Sequence, residues 1–155
     1  MKKFITITLL FHSAGLFACP NFYGKWQSSA KLTMEFNKKW SNIEPKAMAF
    51  LEQITGNSIT EYTQDKIIIT GNKKIITING KQHEWPAINE VTTYKLLGCT
   101  KDSVVIEHNL YEQHFIDQLY FPNKDTFWVY TGNTWATNNA HAREYFVRIT
   151  NSKSK

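Results

Sequence analysis

Two histidines are the first place in this chain to look for chemistry. His108 and His114 flank a polar break at Asn109 to Gln113, with Glu107 and Glu112 beside them. In a symmetric hairpin the two imidazoles would face each other across the turn, which is how a zinc or copper site can begin. Spacing fixes no third ligand, so the expectation is two solvent-facing turn residues and no metal. The chain holds no Gly-x-Ser-x-Gly, no glycine-rich phosphate loop, no His-Glu-x-x-His and no Cys-x-x-Cys. Its acidic residues are dispersed, and nothing in the linear sequence pairs two carboxylates as acid and base. The sequence points away from an enzyme and names no catalytic residue and no cofactor.

Two cysteines remain, Cys19 and Cys99, and their reading depends on what precedes them. Met1-Lys2-Lys3 is a basic start, Phe4 to Phe11 an apolar run too short to span a bilayer, and Ser13 to Ala18 a small-residue approach to a cleavage site. This is the pattern of a bacterial export signal, which places the folded chain in the periplasm. Leu16-Phe17-Ala18-Cys19 leaves two outcomes open. Cleavage after Ala18 gives a soluble protein; lipidation of Cys19 gives an outer-membrane lipoprotein, the one route by which a membrane enters. Phe17 is bulky for a lipobox, and Pro20 is unusual after a lipidated cysteine. Two cysteines in an oxidising compartment pair readily, so a Cys19–Cys99 disulfide is expected.

The elements that must position these residues follow from composition and period. A chain of 155 residues, 42% apolar and 20% charged, suits one globular domain. Five Trp, seven Tyr and ten Phe suit pleated, half-buried surfaces and the lining of a pocket or interface. Net charge is +5, the basic residues are scattered, and no nucleic-acid partner is expected. Phe22, Gly24 and Trp26 open a first strand, and the alternation of Leu32, Met34 and Phe36 with polar neighbours extends that strand region. The period then changes. Ala47, Phe50, Leu51 and Ile54 fall on one helical face, with Pro45 suited to the first turn and Gly56 to the stop. From Ser58 the chain reads as an antiparallel meander: Ser58 to Thr63, Lys66 to Thr70, Lys73 to Ile78, Val91 to Gly98, Ser103 to His108, His114 to Phe121, Thr126 to Thr131 and Glu144 to Thr150. Asn79-Gly80 is a hairpin signal, and His83-Glu84-Trp85-Pro86 reads as a loop anchored by its tryptophan.

An opening strand with Gly24-x-Trp26 and a closing strand with Arg148 resemble the two ends of a lipocalin-like barrel of the calycin superfamily. The resemblance implies a mainly β fold: an antiparallel up-and-down barrel of about eight to nine strands, with one α-helix inserted after the first strand region. It also implies that Arg148 lies over the Trp26 indole and closes one end. The domain layout is then a signal peptide over 1–18, a single barrel over 19–150 and a flexible tail over 151–155. An inserted helix at this point is closer to fatty-acid-binding proteins than to typical lipocalins.

The leading function is an exported envelope barrel that encloses a small apolar ligand. Phe50 and Ile54 of the helix, with Trp85 and with Trp135 in the long polar connection Gly132 to Ala142, would frame the ligand site. The competing class is a protein-binding module, an inhibitor or immunity protein that meets a toxin or hydrolase through its loops. A third is a lipid-anchored structural component of the envelope. An open interior lined by aromatics would favour the first.

Overall fold

The computed structural model describes residues 18–131 and 141–150. Residues 1–17 of the expected signal peptide, Trp135 and the expected tail 151–155 therefore lie outside the described residues. The elements are β1 (Gly24–Ser28), α1 (Ala30–Trp40), α2 (Pro45–Ile54), β2 (Ser58–Tyr62), β3 (Lys66–Gly71), β4 (Lys74–Ile78), β5 (Lys81–Trp85), β6 (Ile88–Cys99), β7 (Ser103–Leu110), β8 (Gln113–Asn123), β9 (Thr126–Tyr130) and β10 (Arg143–Arg148). Eight strands close into an antiparallel barrel in the order β1-β10-β9-β8-β7-β6-β3-β2, and β4 and β5 form a separate hairpin. Since β1 pairs with both β2 and β10, no barrel edge is left open. The protein is a mainly β, up-and-down, lipocalin-like barrel with two helices after its first strand.

The barrel has two unlike ends. The β2–β3, β6–β7 and β8–β9 turns lie at one, with the segment from Cys19 to Tyr23 that leads into β1. At the other lie both helices, the β4–β5 hairpin, the β7–β8 turn and the ends of β9 and β10 that residues 132–140 connect. The main core fills the first end and the middle: Phe22, Trp26, Val104, Leu119, Phe121 and Phe127 are all buried. A smaller core lies outside the barrel, where Phe50 and Leu51 of α2 pack on Ile76 of β4 and meet Trp85 of β5. The apolar stripe of α2 is thus covered by the outlying hairpin rather than by the barrel wall. Trp85 belongs to a strand, not a loop.

A second sequence expectation is corrected by α1. The stretch around Leu32, Met34 and Phe36 is helical, not extended. Ser29 caps it by accepting a hydrogen bond from the Leu32 amide, and Lys38 and Lys39 suit its C-terminal turn. The misleading feature is that α1 buries a polar face: Thr33 and Asn37, one turn apart, are its buried residues. They face the upper part of β10, which β1 has left. Thr33 Oγ1 accepts from the Tyr145 amide at 2.9 Å, and Asn37 both accepts from the Arg143 amide at 3.0 Å and donates to its carbonyl at 2.9 Å. The side-chain amide of Asn37 does for β10 what the next residue pair of a longer β1 would have done. Asn37→Leu fits the volume but strands both backbone groups of Arg143. We expect a loss of about 2–4 kcal/mol, read by denaturant unfolding.

Candidate functional site

The turn end is sealed. Trp26 is fully buried, its Nε1 donates to the Phe22 carbonyl at 2.8 Å, and its ring meets Phe127 edge-on at 4.8 Å. Arg148 lies 4.0 Å over the indole and is directly opposite it in the β1–β10 register. Its guanidinium also donates to the carbonyls of Tyr23, at 2.7 Å, and of Asn21. Gly24 is favoured here by its backbone, whose φ of +106° lies in a region that L side chains rarely adopt. Cys19 and Cys99 are joined, with Cα atoms 5.4 Å apart, so the strand-leading segment is fixed to the foot of β6. Phe22, Trp26, Arg148 and the Cys19–Cys99 pair together form a plug.

The described residues leave the helix end unfilled. A cavity of about 650 Å³ occupies this half of the barrel, lined by Tyr62, Ile67, Ile69, Phe127 and Phe146, with His108 and Asp117 on its wall. A second space of about 250 Å³ lies between the barrel mouth and the elements above it. Phe50 and Ile54 of α2 and Trp85 of β5 line that smaller space together, with Glu144 of β10 and Thr33 of α1. Thr131, at the end of β9, borders both. Three of the four residues expected to frame a ligand therefore share one space at the mouth. The fourth, Trp135, lies outside the described residues.

The histidine pair is not a metal site. The β7–β8 turn places Asn109 opposite His114 and His108 opposite Phe115, so the two imidazoles are one residue out of register and point to opposite faces. Against the expectation of two solvent-facing residues, His108 is buried inside, with Nε2 2.8 Å from Asp117 Oδ2. His114 is on the outer face, 2.8 Å from Glu107 Oε1. Among the described residues no group of three His, Cys, Asp or Glu could hold a metal ion.

Tyr62 and Glu144 are inward groups with shifted titration. Burial, then the charge of Asp117, raises the Tyr62 phenol well above its ordinary value, so it stays neutral. Glu144 is raised by burial, an effect the hydrogen bond from Ser28 partly offsets; Ser28 Oγ donates to Glu144 Oε1 at 2.6 Å and accepts from the Gly56 amide at 3.0 Å. Arg143, next to it in β10, faces the other way and lies between two rings, 4.1 Å from Phe36 and 3.7 Å from Trp128. It clamps α1 to the barrel wall.

Sequence reasoning missed Tyr62, His108, Asp117 and Phe146 as cavity residues. The available signal was period-2 parity: Asp117 is two residues from Leu119 and four from Phe121, on the face that strand turns inward. No family model matches this chain, and neither a curated protein nor a solved structure is significantly similar to it.

Two expectations follow. Arg148→Ala removes the contact over Trp26 and the donors to Tyr23 and Asn21, and should destabilise the fold by about 1–3 kcal/mol in denaturant unfolding. A loss within error of zero would show that the plug does not rely on this residue. For Glu144, a carboxyl whose folded pKa is raised binds its proton more tightly folded than unfolded. Its contribution to stability thus declines as pH rises from the unfolded value through the folded one. Glu144→Gln, which keeps an acceptor for Ser28 but cannot ionise, should melt above the wild type at about pH 8 and close to it at about pH 4.

Proposed function

We propose that the protein is a non-enzymatic, exported bacterial envelope barrel of the calycin type that encloses one small, mainly apolar ligand. The observation that carries this reading is the unfilled half of the barrel: a space of about 650 Å³, walled largely by apolar and aromatic side chains. Small-molecule sites commonly fall in the range of roughly 300–1,000 Å³ and combine such walls with a few polar groups. The α2 and β4–β5 elements lie across the mouth, where Phe50, Ile54 and Trp85 line the smaller space between rim and cap. A ligand would pass them on its way in. Gly24, Trp26 and Arg148, assembled at the sealed end, support the calycin assignment.

Periplasmic location is the companion proposal. It rests on the export-like sequence up to Ala18 and on the Cys19–Cys99 bond, which suits an oxidising compartment. A sulfur held in that bond is not available to carry a lipid, which supports the soluble form over the lipoprotein. The competing reading, an inhibitor or immunity protein, is favoured by one observation. Tyr111 is exposed at the tip of the β7–β8 turn, and both it and Glu112 are held at positive φ. An exposed aromatic on a stiff turn is a suitable anchor for a protein partner.

The test is to fill the cavity. Ile69→Trp places an indole in the larger space. The wild type should bind N-phenyl-naphthylamine with a rise in dye fluorescence, and should melt at higher temperature when saturated. The variant should lose the dye signal while remaining folded by circular dichroism. If the wild type gives no signal with this dye or with other apolar probes, the ligand-binding reading falls and the protein-binding one takes its place.

A further inference from the structure

The larger cavity has a chemistry that narrows what it takes. Its wall is polar mainly where Asp117 of β8 and His108 of β7 meet. Among the described residues lining it there is no lysine and no arginine. The two arginines of β10 are engaged elsewhere, Arg148 over Trp26 at the sealed end and Arg143 between Phe36 and Trp128. An anionic amphiphile would find no cation in this space and would meet Asp117 instead.

His108 Nε2 lies 2.8 Å from Asp117 Oδ2, so the imidazole engages one oxygen of the carboxylate from inside the barrel. The Asp117 side chain is 41% accessible, and its register opposite the fully buried Ile106 turns it into the barrel. Phe115 stacks on His108 beside it, with ring centroids 5.5 Å apart, and Tyr62, Phe127 and Phe146 supply further ring surface in the same space. A carboxylate among aromatic faces is a setting that suits an organic cation.

We propose that the barrel cavity selects a small organic cation: an amine with an apolar body, whose ammonium group meets Asp117 and whose body lies among Tyr62, Phe127 and Phe146. This rests on the ligand-binding reading above and adds the charge of the ligand to it. His108 is a positioning residue here, holding one carboxylate oxygen so that the other faces the cavity.

Three probes with the same chain separate the possibilities: decylamine, decanol and decanoate, each titrated calorimetrically into the disulfide-intact protein below its micelle-forming concentration. Decylamine should bind at least about tenfold more tightly than decanol, and decanoate more weakly than either. In Asp117→Asn, which keeps an oxygen for His108, the amine should lose its advantage over the alcohol. Glu107→Gln, which removes a carboxylate from the outer face, should keep the wild-type order. Decanoate as the tightest probe, or an undiminished amine preference in Asp117→Asn, would overturn the amine assignment and leave the cavity as a site for another ligand. The wild-type order tests the same point without any substitution, should Asp117→Asn not fold. Failure of all three probes to bind would remove the ligand-binding reading itself, and this inference with it.

Discussion

Closure of the sheet is the constraint on which the rest of this structure depends, and it falls on a strand of five residues, β1. A strand in a closed barrel must be hydrogen-bonded on both sides. β1 meets β2 over four residue pairs but β10 over only three, from Trp26–Arg148 to Ser28–Phe146. Above that point the Ser29 amide still reaches the Tyr145 carbonyl, but the seam would leave the Tyr145 amide and both backbone groups of Arg143 unmatched. The chain answers by coiling at once into α1 and presenting Thr33 and Asn37 to them. The helix is needed there to finish the seam, and only secondarily roofs the mouth.

From this seam the barrel divides into a filled half and an open one. Toward the turns, Phe22 and Trp26 occupy the axis and Arg148 covers the indole, with its donors satisfied by the chain that leads into β1. Toward the helices the inward residues are shorter or more polar, Ser28, Thr60 and Ile69 among them, and they leave space unfilled. The same half gathers three acceptor-rich or neutral polar groups, Asp117, Tyr62 and Glu144. Burial keeps Tyr62 neutral and raises Glu144, while the Asp117 side chain is 41% accessible. A chain that is basic in total thus carries an acidic interior.

Much of the barrel was legible because its strands are rich in β-branched residues and punctuated by recognisable turns. In the outlying hairpin, Asn79-Gly80 is a turn of the same recognisable kind, and both residues have positive φ. The Tyr111–Glu112 turn has the same backbone signs without the usual residue types, which hid its register and with it the inward side of His108, expected to face solvent. α1 was misread because apolar alternation in Leu32, Met34 and Phe36 mimics a strand when the buried helical face is polar. The mouth residues Phe50, Ile54 and Trp85 were legible from helical period and aromatic bulk. Asp117 was not, because a charged residue in a strand looks solvent-facing until the register of its neighbours is known.

The Cys19–Cys99 bond has a topological consequence. It draws a covalent ring through β1, both helices, the outlying hairpin and the whole of β6, leaving β7 to β10 as an arm outside the ring. If the β1–β10 and β6–β7 seams both open, β1 stays tethered to the foot of β6, while the four-strand arm can swing about the turn at Thr100 to Asp102. Exchange of strands between two copies of the chain is a low-cost route to dimers wherever an arm can leave its own sheet. In this protein the intact bond allows only the β7–β10 arm to be exchanged and holds the N-terminal strand at home.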